Sequence, residues 1–404
     1  MTQPSATAPH DTYGALDIER MRRYRLARLQ EQMRAREIEA MALFDPANIR
    51  YAVGLASYGI YSLHTPVRCL IVPAEGLCTV LDYDSLEFFS DAIETIGTVR
   101  SMPSYHYALC GERAGEGAAR LVQAIGEALK PHTTVKRVAV DRFEPSLAQA
   151  FQEANYRIED AQVALEHARA IKSPEEVACM RTSISIAETA LHRIRDAVRP
   201  GARETELCAI LHEENIANGG EWFEYKLVCS GERTNPWGQE ASGRAVRAGD
   251  LVIVDTGMIG PLGYFADVSR TFHCGPGAPT PEQKRLYGLA RACLDHNVAL
   301  LKPGLSFADF VAQAWEPPED CRTDNYPHPL HGVGMRGEWP MLWHHEESDR
   351  KAYDGAFEVG MTLAVEAYIG PSGGKHGVKL EDTVLVTKTG VERLSTFPME
   401  DRLL

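Results

Sequence analysis

No stretch of this 404-residue chain reaches 18 consecutive apolar residues. A helix needs roughly 20 such residues to cross a bilayer core, so no transmembrane helix is expected. Positive charge is scarce too. Lys and Arg number 42 against 56 Asp and Glu, a formal net charge of -14. Such a chain lacks the basic footprint of a nucleic-acid binder and is repelled by anionic lipid surfaces. Nucleic acid and membranes are therefore excluded as expected partners. Clustered cysteine is missing as well. The nine cysteines are scattered along the chain, their number is odd, and no C-x-x-C occurs. A disulfide framework or zinc knuckle would group them, so the expectation is free, buried thiols in a reducing cytoplasm. Residues 1–14 are polar, without the basic-then-apolar pattern of a signal peptide. They are expected to form a loose arm, which also points to the cytoplasm. No repeat with a period of about 20–50 residues and no low-complexity tract is present.

Apolar residues make up 44% of the chain and charged residues 24%, the profile of a globular protein with material for real cores. The length suggests two to three domains. The first half alternates helical stretches with short apolar runs, which predicts an α/β domain over 15–165. Asp17 to Met41 reads as one long helix with Met21, Leu26, Leu29 and Met33 on its apolar side. Runs 41–44, 69–72, 78–81 and 138–140 read as strands, and 115–129 and 146–154 as helices. Ser173-Pro174-Glu175-Glu176 opens a second domain, 172–404, with an N-cap, a proline at the first helical position and a capping-box acid. Helices are predicted to about Val198 and over 204–218. Strands are predicted over 251–254, 263–273, 361–368 and 377–386, and a turn leads from the last into 391–394.

The second half carries acids and one histidine where strands should be buried. Asp255 ends Leu-Val-Ile-Val, Asp267 lies inside Tyr264–Phe272, and His331 lies in Pro-Leu-His-Gly-Val-Gly. Glu366 follows Thr-Leu-Ala-Val, and Glu381 lies in Gly-Val-Lys-Leu-Glu-Asp. A buried carboxylate must be hydrogen-bonded, paired or coordinated, because desolvation otherwise costs several kcal/mol. Any one of these acids could pair with Arg270 or Lys379. Together, four carboxylates and an imidazole form a ligand set for two divalent cations.

These five residues resemble the metal ligands of the pita-bread superfamily, which includes methionine aminopeptidase, prolidase, aminopeptidase P and creatinase. The resemblance covers 172–404, with a creatinase-type α/β domain before it. It implies that Asp267 and Glu381 bridge two divalent ions, that Asp255 binds one of them, and that His331 and Glu366 bind the other. A homodimer is implied as well. The peptidases keep one histidine upstream of the first Asp ligand, where this chain reads Asn235-Pro236-Trp237-Gly238. They keep another seven residues after the ligand histidine, where Glu338 stands. Both absences argue against peptide hydrolysis.

Asn235–Glu240, the interval from Asp255 to Asp267 and the ending 373–382 resemble the dimethylsulfoniopropionate lyases of the DddP type. In those enzymes the fold is turned to β-elimination, with iron as the reported metal. Carboxylate-rich sites also accept Mn, Zn or Co. Tyr326 matches an active-site tyrosine of that group. The chain departs from it at Gly257 and Gly337, where the group carries acids, the second of them catalytic. The expected substrate is a small zwitterion.

Trp222, Tyr225, Trp237, Tyr326, Trp339 and Trp343 would supply either a box for its cation or ordinary core packing. Glu338 or a metal-bound hydroxide is the substitute base, and Glu338 reads equally as a solvated loop acid. Gly332-Val-Gly-Met-Arg-Gly337 spells a dinucleotide fingerprint without its strand and helix context. Its glycines are expected to let backbone approach the metals. His344-His345 is expected on a surface loop. Three functions stay open: lyase, metal-dependent C–N hydrolase of a small molecule or Xaa-Pro peptide, and a non-catalytic binding protein.

Overall fold

A computed structural model describes residues 16–404 apart from 57–58, 85, 91, 323–325 and 345–352. The loose arm at 1–14 and His345 lie outside the described residues. The chain divides into two compact units between Arg169 and Ala170. Among the described residues no helix is long and apolar enough to cross a membrane. All nine cysteines are free thiols.

The first unit opens with a helix over Ile18–Arg34, capped by the Asp17 carboxylate on the Arg20 N–H at 2.9 Å. It buries Met21, Leu26, Leu29 and Met33, as their spacing predicts. The helix does not run to Met41. Glu37 takes a positive φ of 56° and the Ile38 N–H turns back to the Met33 carbonyl at 2.9 Å. The chain then enters strand β1, Ala40–Leu43. Strands β2 (Cys69–Pro73), β3 (Cys78–Asp82), β4 (Ile96–Ser101), β5 (Arg137–Val140) and β6 (Arg157–Asp160) complete a mixed sheet in the order β4-β3-β2-β1-β5-β6. Helices Ala114–Leu129 and Pro145–Glu153 pack Leu121, Ile125, Leu147 and Phe151 onto it.

The second unit opens with the helix Pro174–Ala197. Its capping box is complete: the Ser173 hydroxyl accepts the Glu176 N–H at 3.2 Å, and Glu176 accepts the Ser173 N–H at 2.8 Å. Strands β7 (Trp222–Phe223), β8 (Val228–Ser230), β9 (Leu251–Asp255), β10 (Met258–Ile259), β11 (Phe265–Ala266), β12 (Ser269–His273), β13 (Leu330–Val333), β14 (Gly337–Leu342), β15 (Thr362–Ile369), β16 (Val378–Thr387) and β17 (Gly390–Arg393) follow. One sheet runs β14-β13-β15-β16-β12-β9-β8, with β17 beside β16, and a small one runs β11-β10-β7. Helix Pro281–Leu300 buries Leu286, Tyr287, Ala290 and Leu294 in the core that also holds Leu363, Val365, Leu380 and Val384.

The single strand expected over 263–273 is two. β11 pairs with β10, whereas β12 pairs with β9 and β16. Between them Thr256 adds its side chain to a single backbone bond, its N–H to the Val268 carbonyl at 3.2 Å. Its hydroxyl donates to the Ala266 carbonyl at 2.7 Å and accepts the Val268 N–H at 3.1 Å. Asp267 sits at this change of sheet, which frees its carboxylate to enter the site.

Candidate metal centre

The convergence of the acids follows from register. Asp255 lies opposite Ser269, Ser269 opposite Glu381, and Glu381 opposite Glu366. Residues directly opposite on neighbouring strands project to the same face, so one rung across β9, β12, β16 and β15 gathers four oxygen-bearing side chains. Asp267 enters from the break before β12. His331, on β13, lies opposite Ala364 and reaches across. All five residues predicted as metal ligands are buried, none more than 6% exposed.

His331 Nε2 lies 3.4 Å from Asp267 Oδ2 and 3.3 Å from Glu366 Oε1. Its other nitrogen, Nδ1, lies 2.8 Å from the Gly332 carbonyl. That carbonyl accepts only if Nδ1 carries the proton, which leaves Nε2 as the nitrogen facing the cluster and able to offer a lone pair to a metal once it is deprotonated. Donor atoms of Asp267, His331 and Glu381 all fall within 4.8 Å of one another. Glu381 Oε1 is buried without a hydrogen-bond partner among the described residues. A hard or borderline divalent ion fits this three-donor group.

The other donors are engaged by the protein itself. Tyr225 gives its hydroxyl to Asp267 Oδ1 at 2.7 Å and contacts Asp255 Oδ1 at 3.2 Å. The Lys379 ammonium, wholly buried, lies 3.0 Å from Asp255 Oδ2, 2.5 Å from Glu366 Oε2 and 3.5 Å from Glu381 Oε2. The sequence offered Lys379 as an ion-pair partner for a single acid and Tyr225 as one aromatic of the region, but neither as a residue that engages several of the ligands at once. The available signal for Lys379 was its place two residues before Glu381 on one strand, hence on the same face.

Electrostatics follow this geometry. Burial pushes the Asp267 carboxyl up to about 7 against the opposing pull of His331. Burial also drives Glu381 well above the carboxylate range, reinforced by Asp267 and Glu366. Burial would raise Glu366 too, but Lys379 and His331 outweigh it and hold it at about 2. His331 is pushed down by burial, yet its hydrogen bond to Glu366 and the Asp267 charge carry it up to about 9.

The predicted aromatic and acid residues divide. Trp237 and Tyr326 pack with ring centroids 4.4 Å apart. The Lys379 nitrogen lies 5.5 Å from the Trp237 centroid and 5.3 Å from that of Tyr326. Tyr326, His328, His344 and Glu366 line one cleft. His344 lies outside any helix or strand, as expected, but is half-buried at this cleft, and burial, then the neighbouring His328 charge, pushes its imidazole down to about 4. Trp339 packs on Phe307 and Trp343 on His328. Trp222 lies on β7.

Glu338 is buried on β14, and neither a solvated loop acid nor an unengaged base. Its Oε2 lies 2.9 Å from Lys172 Nζ and its Oε1 accepts the Met335 N–H at 3.1 Å. The nearby glycines serve this hairpin rather than the metals. A Cβ on Gly332 would fall 2.4 Å from the Trp339 carbonyl oxygen, and one on Gly334 would fall 2.5 Å from the Glu338 carboxylate. At the two departures from the lyase pattern, a Cβ on Gly257 would meet the Tyr225 ring at 2.5 Å. One on Gly337 would meet only His331 Nδ1, at 3.9 Å.

Residues 178–388 match metallopeptidase family M24, and residues 25–171 match the creatinase/prolidase N-terminal domain. The dimethylsulfoniopropionate lyase DddP of Roseovarius nubinhibens is 32% identical over 394 residues, covering 96% of this chain and 88% of that protein. The Xaa-Pro dipeptidase of Pyrococcus furiosus is 29% identical over 238 residues, covering 57% of this chain and 65% of that protein. The crystal structure of the prolidase from Pyrococcus horikoshii superposes with a TM-score of 0.73 at 21% identity, covering 93% of this chain and 99% of that one. With a creatinase-type first unit and a second unit that carries the clustered acids of a divalent-metal enzyme, this chain belongs to metallopeptidase family M24, the pita-bread superfamily.

Proposed function

We propose that this protein is a divalent-metal-dependent lyase that cleaves dimethylsulfoniopropionate, or a related small zwitterion, by β-elimination. The observation that carries this reading is the 32% identity to a dimethylsulfoniopropionate lyase across 96% of the chain. Trp237 and Glu338 support it, because they stand where the resemblance places the histidines of the peptidases. Asp267, His331 and Glu381 would hold the metal, with Glu366 beside His331. A bound divalent ion supplies Lewis-acid polarisation of the substrate carboxylate, which acidifies the adjoining C–H. Iron is the metal favoured by resemblance. Elimination passes that proton to hydroxide, the base left once Glu338 is engaged by Lys172, breaks the C–S bond and sends its electron pair out on sulfur, leaving water, dimethyl sulfide and acrylate. Tyr326 and Trp237 form the aromatic wall beside the metal ligands and position the substrate. Glu338, held by Lys172, is withdrawn from proton transfer and secures β14 instead.

The second reading is a metal-dependent C–N hydrolase, favoured by the family match over 178–388. Products separate the two. Elimination gives headspace dimethyl sulfide and acrylate without oxygen from labelled water. Hydrolysis incorporates one labelled oxygen. Dimethyl sulfide from metal-loaded protein is the expected result. Turnover of Ala-Pro or Gly-Pro at roughly 1 per second or more, with no dimethyl sulfide, would replace the lyase reading with the hydrolase.

A further inference from the structure

The resemblance implies two metal ions, but a cation already sits among their donors, against Asp255 of one set, Glu366 of the other and the bridging Glu381. Lys379 Nζ is enclosed by Asp255 Oδ2 at 3.0 Å, Glu366 Oε2 at 2.5 Å, Glu381 Oε2 at 3.5 Å and Ser269 Oγ at 3.3 Å. These oxygens come from four different strands of one sheet, which is how a metal would be held. The remaining oxygen of Asp255 lies 3.2 Å from the Tyr225 oxygen, whose proton goes to Asp267 Oδ1 at 2.7 Å. Asp255 thus commits one oxygen to Lys379, and the Tyr225 oxygen stands over the other. Gly257 adds no carboxylate here, and the Tyr225 ring fills the space its side chain would need. The faces of Trp237 and Tyr326, 5.5 and 5.3 Å away, add cation–π attraction for the ammonium.

Net charge is compatible with this count. Asp255, Asp267, Glu366 and Glu381 bring four negative charges if all are ionised, and Lys379 compensates one of them. A single divalent ion brings the cluster within one unit of neutrality. A second would carry it one unit past neutrality, so it is the geometry around Lys379 that separates one ion from two.

We propose that the Lys379 ammonium is a tethered cation standing in for the second metal, so that the chain binds one divalent ion, at Asp267, His331 and Glu381, and excludes another. The proposal rests on the ligand assignment made above but not on the reaction. Its consequence for the site is that the aromatic pair already serves an internal cation. A cationic substrate group must then dock elsewhere on the wall.

Mn2+ is a suitable probe. Protein freed of metal by chelator is dialysed to equilibrium against excess Mn2+, then assayed by elemental analysis and electron paramagnetic resonance. One Mn2+ per chain is expected, with an uncoupled six-line spectrum that accounts for all of it. Two per chain with a spin-coupled signal would overturn this proposal alone. No bound Mn2+ would overturn it together with the ligand assignment. In Lys379→Met the stoichiometry is expected to rise from one to two, because Asp255 and Glu366 then need a new counterion. A folded Lys379→Met protein that still binds one ion would show that the lysine excludes nothing. The measurement on the natural protein decides the matter even if that variant does not fold.

Discussion

Lys172 and Glu338 form an ion pair at 2.9 Å with both side chains buried. Removing one partner strands the other charge, which typically costs roughly 3–5 kcal/mol. Lys172→Met is therefore expected to lower the urea midpoint by a corresponding amount, while Glu338→Gln leaves metal content unchanged. The ligands should behave in the opposite way. Asp267→Ala and His331→Ala are each expected to abolish metal retention in dialysed protein, as read by elemental analysis. Full occupancy in either would remove that residue from the ligand set. Gly337 is the one departure from the lyase pattern whose repair has room. A Cβ there meets only His331 Nδ1, at 3.9 Å. Gly337→Asp is expected to raise dimethyl sulfide release about tenfold or more, the usual scale for a placed general base being about 100-fold or more. The same repair at Gly257 collides with Tyr225. The resemblance marks an acid missing at both, the catalytic one at Gly337, but says nothing of the room for either. Only the packing around each separates them.

Among the elements, the β13–β14 hairpin is held by close backbone approach at Gly332. A methyl group 2.4 Å from the Trp339 carbonyl oxygen cannot be accommodated without moving a strand. Overpacking of this kind costs about 1–3 kcal/mol. Gly332→Ala is expected to depress Tm and also loosen metal binding, since His331 is its neighbour. An unchanged Tm would mean that the hairpin has slack. The helix Pro174–Ala197 was legible to within a residue because Ser173, Pro174 and Glu176 each act locally. Ser173→Ala is expected to cost about 1 kcal/mol with metal content unchanged. Where the reading of elements failed, the cause lay outside the window being read. The strand over 263–273 is cut by a threonine hydroxyl arriving from residue 256. The first helix ends at Arg34 because the chain must turn into the central strand of its sheet.

At the scale of the whole molecule, the buried acid cluster should couple stability to pH and to metal. An acid with a raised pKa in the folded state, such as Asp267 at about 7 against 3.8, destabilises the fold increasingly as pH rises through that interval. A histidine raised from 6.5 to about 9 contributes fully below the first value and loses its contribution as pH passes the second. Both act in one direction. Glu366, held at about 2, does not titrate within this window. Metal-free protein is therefore expected to lose Tm steadily between about pH 5 and pH 9. A divalent ion should flatten or reverse that slope, because it binds the deprotonated ligands. Calorimetry with and without chelator tests this. A metal-free Tm that rises with pH would contradict the cluster as described.

The sequence alone determined whatever depends on local pattern or on the order of rare residues. Caps, apolar spacing and turn residues placed most helices and strands. The succession Asp255, Asp267, His331, Glu366, Glu381 named the superfamily. The tertiary structure decided what occupies the space between those residues. Register puts Asp255, Ser269, Glu381 and Glu366 on one rung. It also carries Lys379 into their midst, and the packing around Glu338 turns an apparent base into half of an ion pair. The physical reason is range. Hydrogen-bonding and steric preferences act over a few neighbouring residues and can be read along the chain. The pairing of a buried charge depends on which distant side chain arrives beside it, and that is settled only when the strands are laid side by side.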